Sequence, residues 1–213
     1  MLIGILTVLA AVSAALHIRA EYGGARERVY LFKPLTVIFI IAIAFQSNAS
    51  AYKHLILAGL VFSLAGDIFL MLPRDRFIAG LVSFLIAHLF YIAAFKMDGA
   101  LVGPASLLTA ALLLVYGGVM LRLLFPHLGK MKVPVIVYML VILMMVWQAS
   151  NRFMNVRLMS GVTALAGACL FAASDSALAL NRFRRGFTSA QLLILSTYYA
   201  AQWLIALSVA LRA

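Results

Sequence analysis

His54 to Pro73 reads HLILAGLVFSLAGDIFLMLP. A bilayer core about 30 Å thick is crossed by a helix of about 20 apolar residues. This stretch meets that length with one acid, Asp67, set into it. Further runs of the same kind flank it, with limits near 1–18, 31–47, 77–96, 101–124, 133–150, 158–180 and 187–211. Of 213 residues, 66% are apolar and 11% charged, against about half and a quarter in soluble domains. Such a composition excludes a soluble globule, a disordered chain and a coiled coil. The expected fold is all-α, a polytopic bundle of eight transmembrane helices forming one membrane domain over 1–213.

The connections are short and hold the breakers Gly23-Gly24, Pro73, Asp98-Gly99, Pro126, Asn151 and Gly186. In the second run Lys33 and Pro34 fall at the start, where proline is tolerated and a lysine can reach the interface. The first run lacks a basic leader, and Arg19 follows its apolar core, so it reads as a retained helix and not as a signal peptide. Cys169 is the lone cysteine and is expected to be a small buried side chain. The net charge of +11 does not point to nucleic acid, because the basic residues form short clusters between runs. Arg19, Arg26, Arg28, Lys33, Arg74, Arg76, Arg122, Lys130, Lys132, Arg182, Arg184 and Arg185 fall on the odd loops. Lys53, Lys96, Arg152, Arg157 and Arg212 fall on the even loops and termini. Basic loops stay cytoplasmic, so both termini are expected on the outer side.

A weak internal repeat is visible. GLVFSLAGDIFLMLPR (Gly59–Arg74) and GACLFAASDSALALNR (Gly167–Arg182) lie 108 residues apart. In each, an Asp follows a Gly by eight residues and is followed by Leu at +3 and +5 and Arg at +7. A tandem 4+4 arrangement and a chance likeness between apolar helices are both open readings. Either way, each segment is the third span of four, which sets Asp67 and Asp175 at similar depth in the inner half of the membrane.

Glu21, Glu27, Asp75 and Asp98 are assigned to loops as solvated charges, while Asp67 and Asp175 interrupt apolar runs. A carboxylate within a span costs roughly 2.5–3.5 kcal/mol on insertion scales, and its usual setting is a functional bundle interior. The bland alternative is an interhelical bond, or a salt bridge to Lys33 or Arg74. Ser63 lies one turn before Asp67, and Ser174 and Ser176 flank Asp175. His88 falls midway along the fourth run with Tyr91 three residues on, and it reads either as a packing histidine or as a site residue. Gln191, Tyr198 and Gln202 form one polar stripe on the last run. Tyr138 opens the sixth run as a site residue or as an interfacial tyrosine.

There is no Gly-rich phosphate loop, no G-x-S-x-G elbow and no HExxH. Leu64-Ala65-Gly66 before Asp67 lacks the first glycine of the GxGD motif of intramembrane aspartyl proteases. The four histidines, His17, His54, His88 and His127, have no close metal-ligand spacing, so no metal and no cofactor is expected. Paired membrane aspartates also serve proton relays. The rival functions are therefore a proton-coupled transporter or lipid translocator, a hydrolase of a different lysolipid, and a purely structural membrane protein.

At these same residues the chain resembles the YhhN/TMEM86 family, the bacterial and animal lysoplasmalogenases. The matching stretches are KPLT (Lys33–Thr36), the run through Gly66-Asp67 and FIAGLVSFLIAHLFYI (Phe77–Ile92). They continue with Tyr138-Met139, ASDSALALNRF (Ala173–Phe183, with Asn181) and TYYAAQWLI (Thr197–Ile205). The resemblance implies eight spans and, for a bacterial member, the inner membrane. It implies hydrolysis of the vinyl ether bond of a lysoplasmalogen to a fatty aldehyde and a glycerophospho-base, with a lysophospholipid and the surrounding membrane lipids as partners.

The chemistry needs what the residues offer. Protonation of the vinyl ether β-carbon leaves an oxocarbenium ion, water adds, and the hemiacetal collapses to an aldehyde. The slow step requires a carboxylic acid that keeps its proton near neutral pH, a state that apolar surroundings favour. A second carboxylate stabilises the cation and activates water, as in glycosidases. The expected pair is Asp67 and Asp175, with the acid not distinguished between them. His88, Tyr138, Tyr198, Tyr199 and Gln202 are expected to orient ether and water, with Ser63, Ser174 and Asn181 beside them. Lys33 is expected to hold the substrate phosphate as a point charge.

Overall fold

The computed structural model describes residues 1–73, 75–98, 103–156 and 159–212. Arg74, Gly99, Arg157 and the expected first residues of the fifth and seventh runs lie outside the described residues. Eight helices long and apolar enough to cross a membrane follow one another: α1 (Leu2–Tyr22), α2 (Arg26–Phe45), α3 (Ala51–Met71), α4 (Phe77–Lys96), α5 (Pro104–Leu124), α6 (Lys132–Val156), α7 (Met159–Ala179) and α8 (Ala190–Ala210). Among the described residues there is no strand. With no water in the hydrocarbon to satisfy backbone groups, a helix is the form such runs must take.

Where a helix ends has local causes. Ser50 caps α3 by accepting the Lys53 N–H at 3.1 Å. Pro104 opens α5, a position where its missing N–H costs nothing. Two short 3₁₀ turns, Phe125–His127 and Gly129–Met131, carry the chain from α5 to α6. Beyond Ala179, α7 widens into a π-helical turn, Leu180–Arg184.

Neighbours in sequence pack as neighbours in space, from α1 on α2 through α3 on α4 and α6 on α7 to α7 on α8. The ring closes through α2 on α8 and α4 on α6, while α5 lies outside and packs chiefly on α6. The pattern recurs at a four-helix offset: α2 meets α3 and α8 as α6 meets α7 and α4. Helices in lipid approach closely where side chains are small. At Gly59 an added Cβ would lie 2.3 Å from the Tyr91 ring, and at Gly167 it would lie 2.9 Å from the Ala201 carbonyl oxygen.

Several expectations are corrected. Helix α2 starts at Arg26, ahead of its apolar run, so Pro34 lies inside the helix and not in its first turn. Arg, Glu and Arg are good helix formers, and hydropathy marks the span rather than the helix. Glu21 and Glu27 are helical, in the last turn of α1 and the first of α2. Cys169 is exposed on the outer face of α7, because lipid-facing positions are as apolar as interior ones. Arg152 is fully buried and not a loop charge, with its Nε 3.1 Å from Asp98. Its guanidinium also donates to the Ser160 carbonyl and hydroxyl and lies over the Tyr52 ring. Arg212 joins Asp98 at 2.9 Å, and this knot ties α4, α6, α7 and α8 together at the end that carries the termini. Lys53 is also buried, its ammonium donating to the carbonyls of Phe45 and Ser47.

Candidate active site

The two interrupted helices carry their aspartates to one place. Asp67, near the C-terminal end of α3, and Asp175, near that of α7, line a single cavity of about 410 Å³. Lys33, Tyr198, Ser174 and Asn181 share its wall, and Glu21, Arg26, Tyr30, Arg182 and Gln191 reach it from the odd-loop end.

Asp67 is buried and held from two sides. Tyr198 donates its hydroxyl to Oδ2 at 2.5 Å, and Lys33 Nζ lies 3.4 Å from Oδ1. The salt bridge to Lys33, the bland alternative to a functional role, is therefore present, at the wall of the cavity. Behind Tyr198 a relay runs across the bundle. Gln202 Nε2 donates to the Tyr198 hydroxyl at 3.2 Å, Tyr91 donates to Gln202 Oε1 at 2.8 Å, and Ser63 Oγ lies 3.4 Å from the Tyr91 hydroxyl.

Asp175 is half-buried and accepts a hydrogen bond from the Tyr138 hydroxyl. Among the described residues no cation lies within ion-pair distance of it. Tyr138 and Asp175 also border two small apolar pockets of about 50 Å³ each. One is walled by Leu81, Phe84 and Val135 between α4, α6 and α7. Ser174 donates to the Ile194 carbonyl at 2.9 Å and fastens α7 to α8 beside the acid. Asn181 accepts the Phe187 N–H at 3.3 Å, closing the loop after the π-turn.

Three expected residues stand behind the wall. Ser63 contacts the Tyr91 hydroxyl, and Gln202 bonds both Tyr91 and Tyr198. His88 is fully buried against Tyr138 and Phe171, with ring centroids at 5.2 and 4.7 Å, and among the described residues neither of its nitrogens has a hydrogen-bond partner. Tyr199 turns to another side and bonds His17 Nδ1 at 2.7 Å, and His17 Nε2 lies 3.3 Å from Glu21 Oε1. Tyr91 and Glu21 enter the site or its relay without having been chosen from sequence. Tyr91 had a signal in its spacing from His88, whereas Glu21 reads as a loop charge until α1 is seen to extend through it.

The family model described as the YhhN family matches residues 29–209. The "Uncharacterized membrane protein YhhN" of Escherichia coli O6:H1 is 30% identical over 196 residues, 91% of this chain and 92% of that protein. "Lysoplasmalogenase TMEM86A" of Bos taurus is 39% identical over 158 residues, 72% of this chain and 64% of that protein. "Lysoplasmalogenase TMEM86B" of Homo sapiens is 37% identical over 164 residues, 76% of this chain and 66% of that protein. No solved structure matches. With its aspartates on one cavity and the family model running from α2 to the end of α8, the chain belongs to the YhhN family.

Proposed function

We propose that this protein is a membrane hydrolase that cleaves the vinyl ether bond of lysoplasmalogens. The observation that carries the reading is that two carboxyl groups from α3 and α7 share one cavity, each accepting a tyrosine hydroxyl. The names of the bovine and human relatives supply the substrate class.

The surroundings divide the roles. Lys33 compensates charge on Asp67, which makes Asp67 the standing carboxylate. Asp175 borders apolar pocket walls and has no cation among the described residues, which suits it to hold a proton although Tyr138 donates to it. Asp175 gives that proton to the β-carbon of the alkenyl ether, and the alkene π-electrons form the new C–H bond. The resulting oxocarbenium ion sits opposite the Asp67 carboxylate. Water adds at the α-carbon and gives up a proton to Asp67. The hemiacetal then breaks its bond to the glycerol oxygen, which takes the proton from Asp67, while the hemiacetal hydroxyl returns a proton to the Asp175 carboxylate as the aldehyde C=O forms. Tyr138 and Tyr198 fix the two carboxyl groups, and Tyr91 and Gln202 fix Tyr198. His88 positions the Tyr138 ring from behind. The alkenyl chain lies against Leu81, Phe84 and Val135 and continues into the bilayer between helices.

In the same reading the odd loops face the cytoplasm, since the even-side Arg152 and Lys53 are buried and sharpen the basic asymmetry. A carrier would have to open both ends of the bundle, and the Arg152–Asp98–Arg212 knot closes the end away from the cavity. The test is product formation by purified protein in detergent, where transport has no meaning. The expected result is a fatty aldehyde from 1-alkenyl lysophospholipids and none from 1-acyl or 1-alkyl analogues. Absence of aldehyde from every alkenyl substrate overturns the reading, and release of a fatty acid from the acyl analogue moves it to another lysolipid hydrolase.

A further inference from the structure

Lys33 lines the cavity, but its ammonium is committed to Asp67. The phosphate of a lysolipid must then find another cation, and the mouth of the cavity supplies two. Arg182 sits in the π-turn after α7 and reaches the cavity wall. Turns of this kind inside α-helices recur at functional sites. Its guanidinium carbon lies 3.9 Å from the centre of the Phe77 ring, which itself packs edge-on against Phe183 at 5.7 Å. The guanidinium is thus held over an aromatic ring at the rim. Arg26, in the first turn of α2, reaches the same wall and makes no ion pair among the described residues.

We propose that Arg182 and Arg26 form a subsite for the head-group phosphate of the lysolipid, and that Asp75 competes with this phosphate for Arg182. The proposal rests on the lysolipid reading above. One Arg182 nitrogen, Nη2, is 2.9 Å from Asp75 Oδ2, and a guanidinium has further N–H donors in a fork that suits a phosphate. Asp75 is the exchangeable partner. Its side chain is 70% exposed, and exposed ion pairs contribute little to stability. The Phe77 N–H and the Arg182 guanidinium hold its carboxyl below the usual carboxylate range, so it stays charged through neutral pH. Glu21, also at the mouth, is turned to His17, with its Oε1 3.3 Å from the His17 Nε2.

The subsite is tested by binding to the full chain in neutral detergent, with a 1-alkyl lysophosphocholine that cannot be cleaved, the matching 1-alkylglycerol, and inorganic phosphate as competitor. Arg182→Gln and Arg26→Gln should each weaken the lysophosphocholine about tenfold and leave the alkylglycerol unchanged. Asp75→Asn should tighten the lysophosphocholine a few-fold, whereas a purely structural Asp75–Arg182 pair would make it weaker or leave it unmoved. Equal losses for the two lipids, or no loss, overturn the subsite. Displacement of the lysolipid by inorganic phosphate at matching concentration assigns the site to a free anion and overturns it as a head-group site. These readouts need no turnover. Protein that binds as expected but releases no aldehyde sinks the vinyl-ether reading alone, and protein that releases aldehyde with the arginine variants unaffected sinks the subsite alone.

Discussion

Helices α3 and α7 bear the same Gly-x₇-Asp spacing, and each packs on the helix that follows it, yet their aspartates stand in different company. Asp67 faces a lysine and a tyrosine, while Asp175 faces a tyrosine and apolar pocket walls. The difference lies in the partner helices, α2 and the distant α8 for Asp67 and α6 for Asp175. Two acids on similarly spaced segments reach one cavity, and in the proposed reading their neighbours set which of them carries the charge. That inequality is what an acid and a carboxylate working on one bond require.

The comparison breaks most severely when either member is removed. Asp175→Asn and Asp67→Asn should each lower aldehyde release by 10² to 10⁴, the usual worth of a positioned acid or base, with melting temperatures near that of the parent. Near-parental turnover by either variant removes it from the mechanism. Lys33→Met makes the surroundings of Asp67 resemble those of Asp175. A drop of roughly tenfold to a hundredfold is expected, since a hydrogen-bonded charge contributes about 1.5–3 kcal/mol, and it should appear in kcat more than in KM. Tyr138→Phe and Tyr198→Phe each remove one donor and should cost about tenfold. The Tyr198 change should also loosen Gln202, so its double variant with Gln202→Leu should fall short of additivity. The smallest effect on turnover is expected at Gly167, where an added methyl meets the Ala201 backbone. Gly167→Ala should lower stability by about 1–3 kcal/mol through overpacking, read as a fall in melting temperature in detergent.

Much of the bundle was legible because membrane spans are long and apolar and their breakers sit between them. The two aspartates were legible for the same reason, as charges inside runs that should have none. What the runs hide is direction. Both the lipid face and the interior of such a helix are apolar, so Cys169 could not be told from an interior residue, nor Arg152 from a loop arginine. Partnership was hidden too. Tyr198 donating to Asp67 spans 131 residues of sequence, and only the packing of α3 on α8 brings them together. Tyr199, its neighbour, was expected to share the orienting role but turns to His17, because successive helical residues point about 100° apart.

The division of roles can be observed without any substrate. Infrared difference spectroscopy of the purified protein at neutral pH reports the carbonyl stretch of un-ionised carboxyl groups. One such band should be present, should vanish in Asp175→Asn and should persist in Asp67→Asn. A band that survives the Asp175 change, or that disappears with Asp67, would contradict the assignment of the proton to α7.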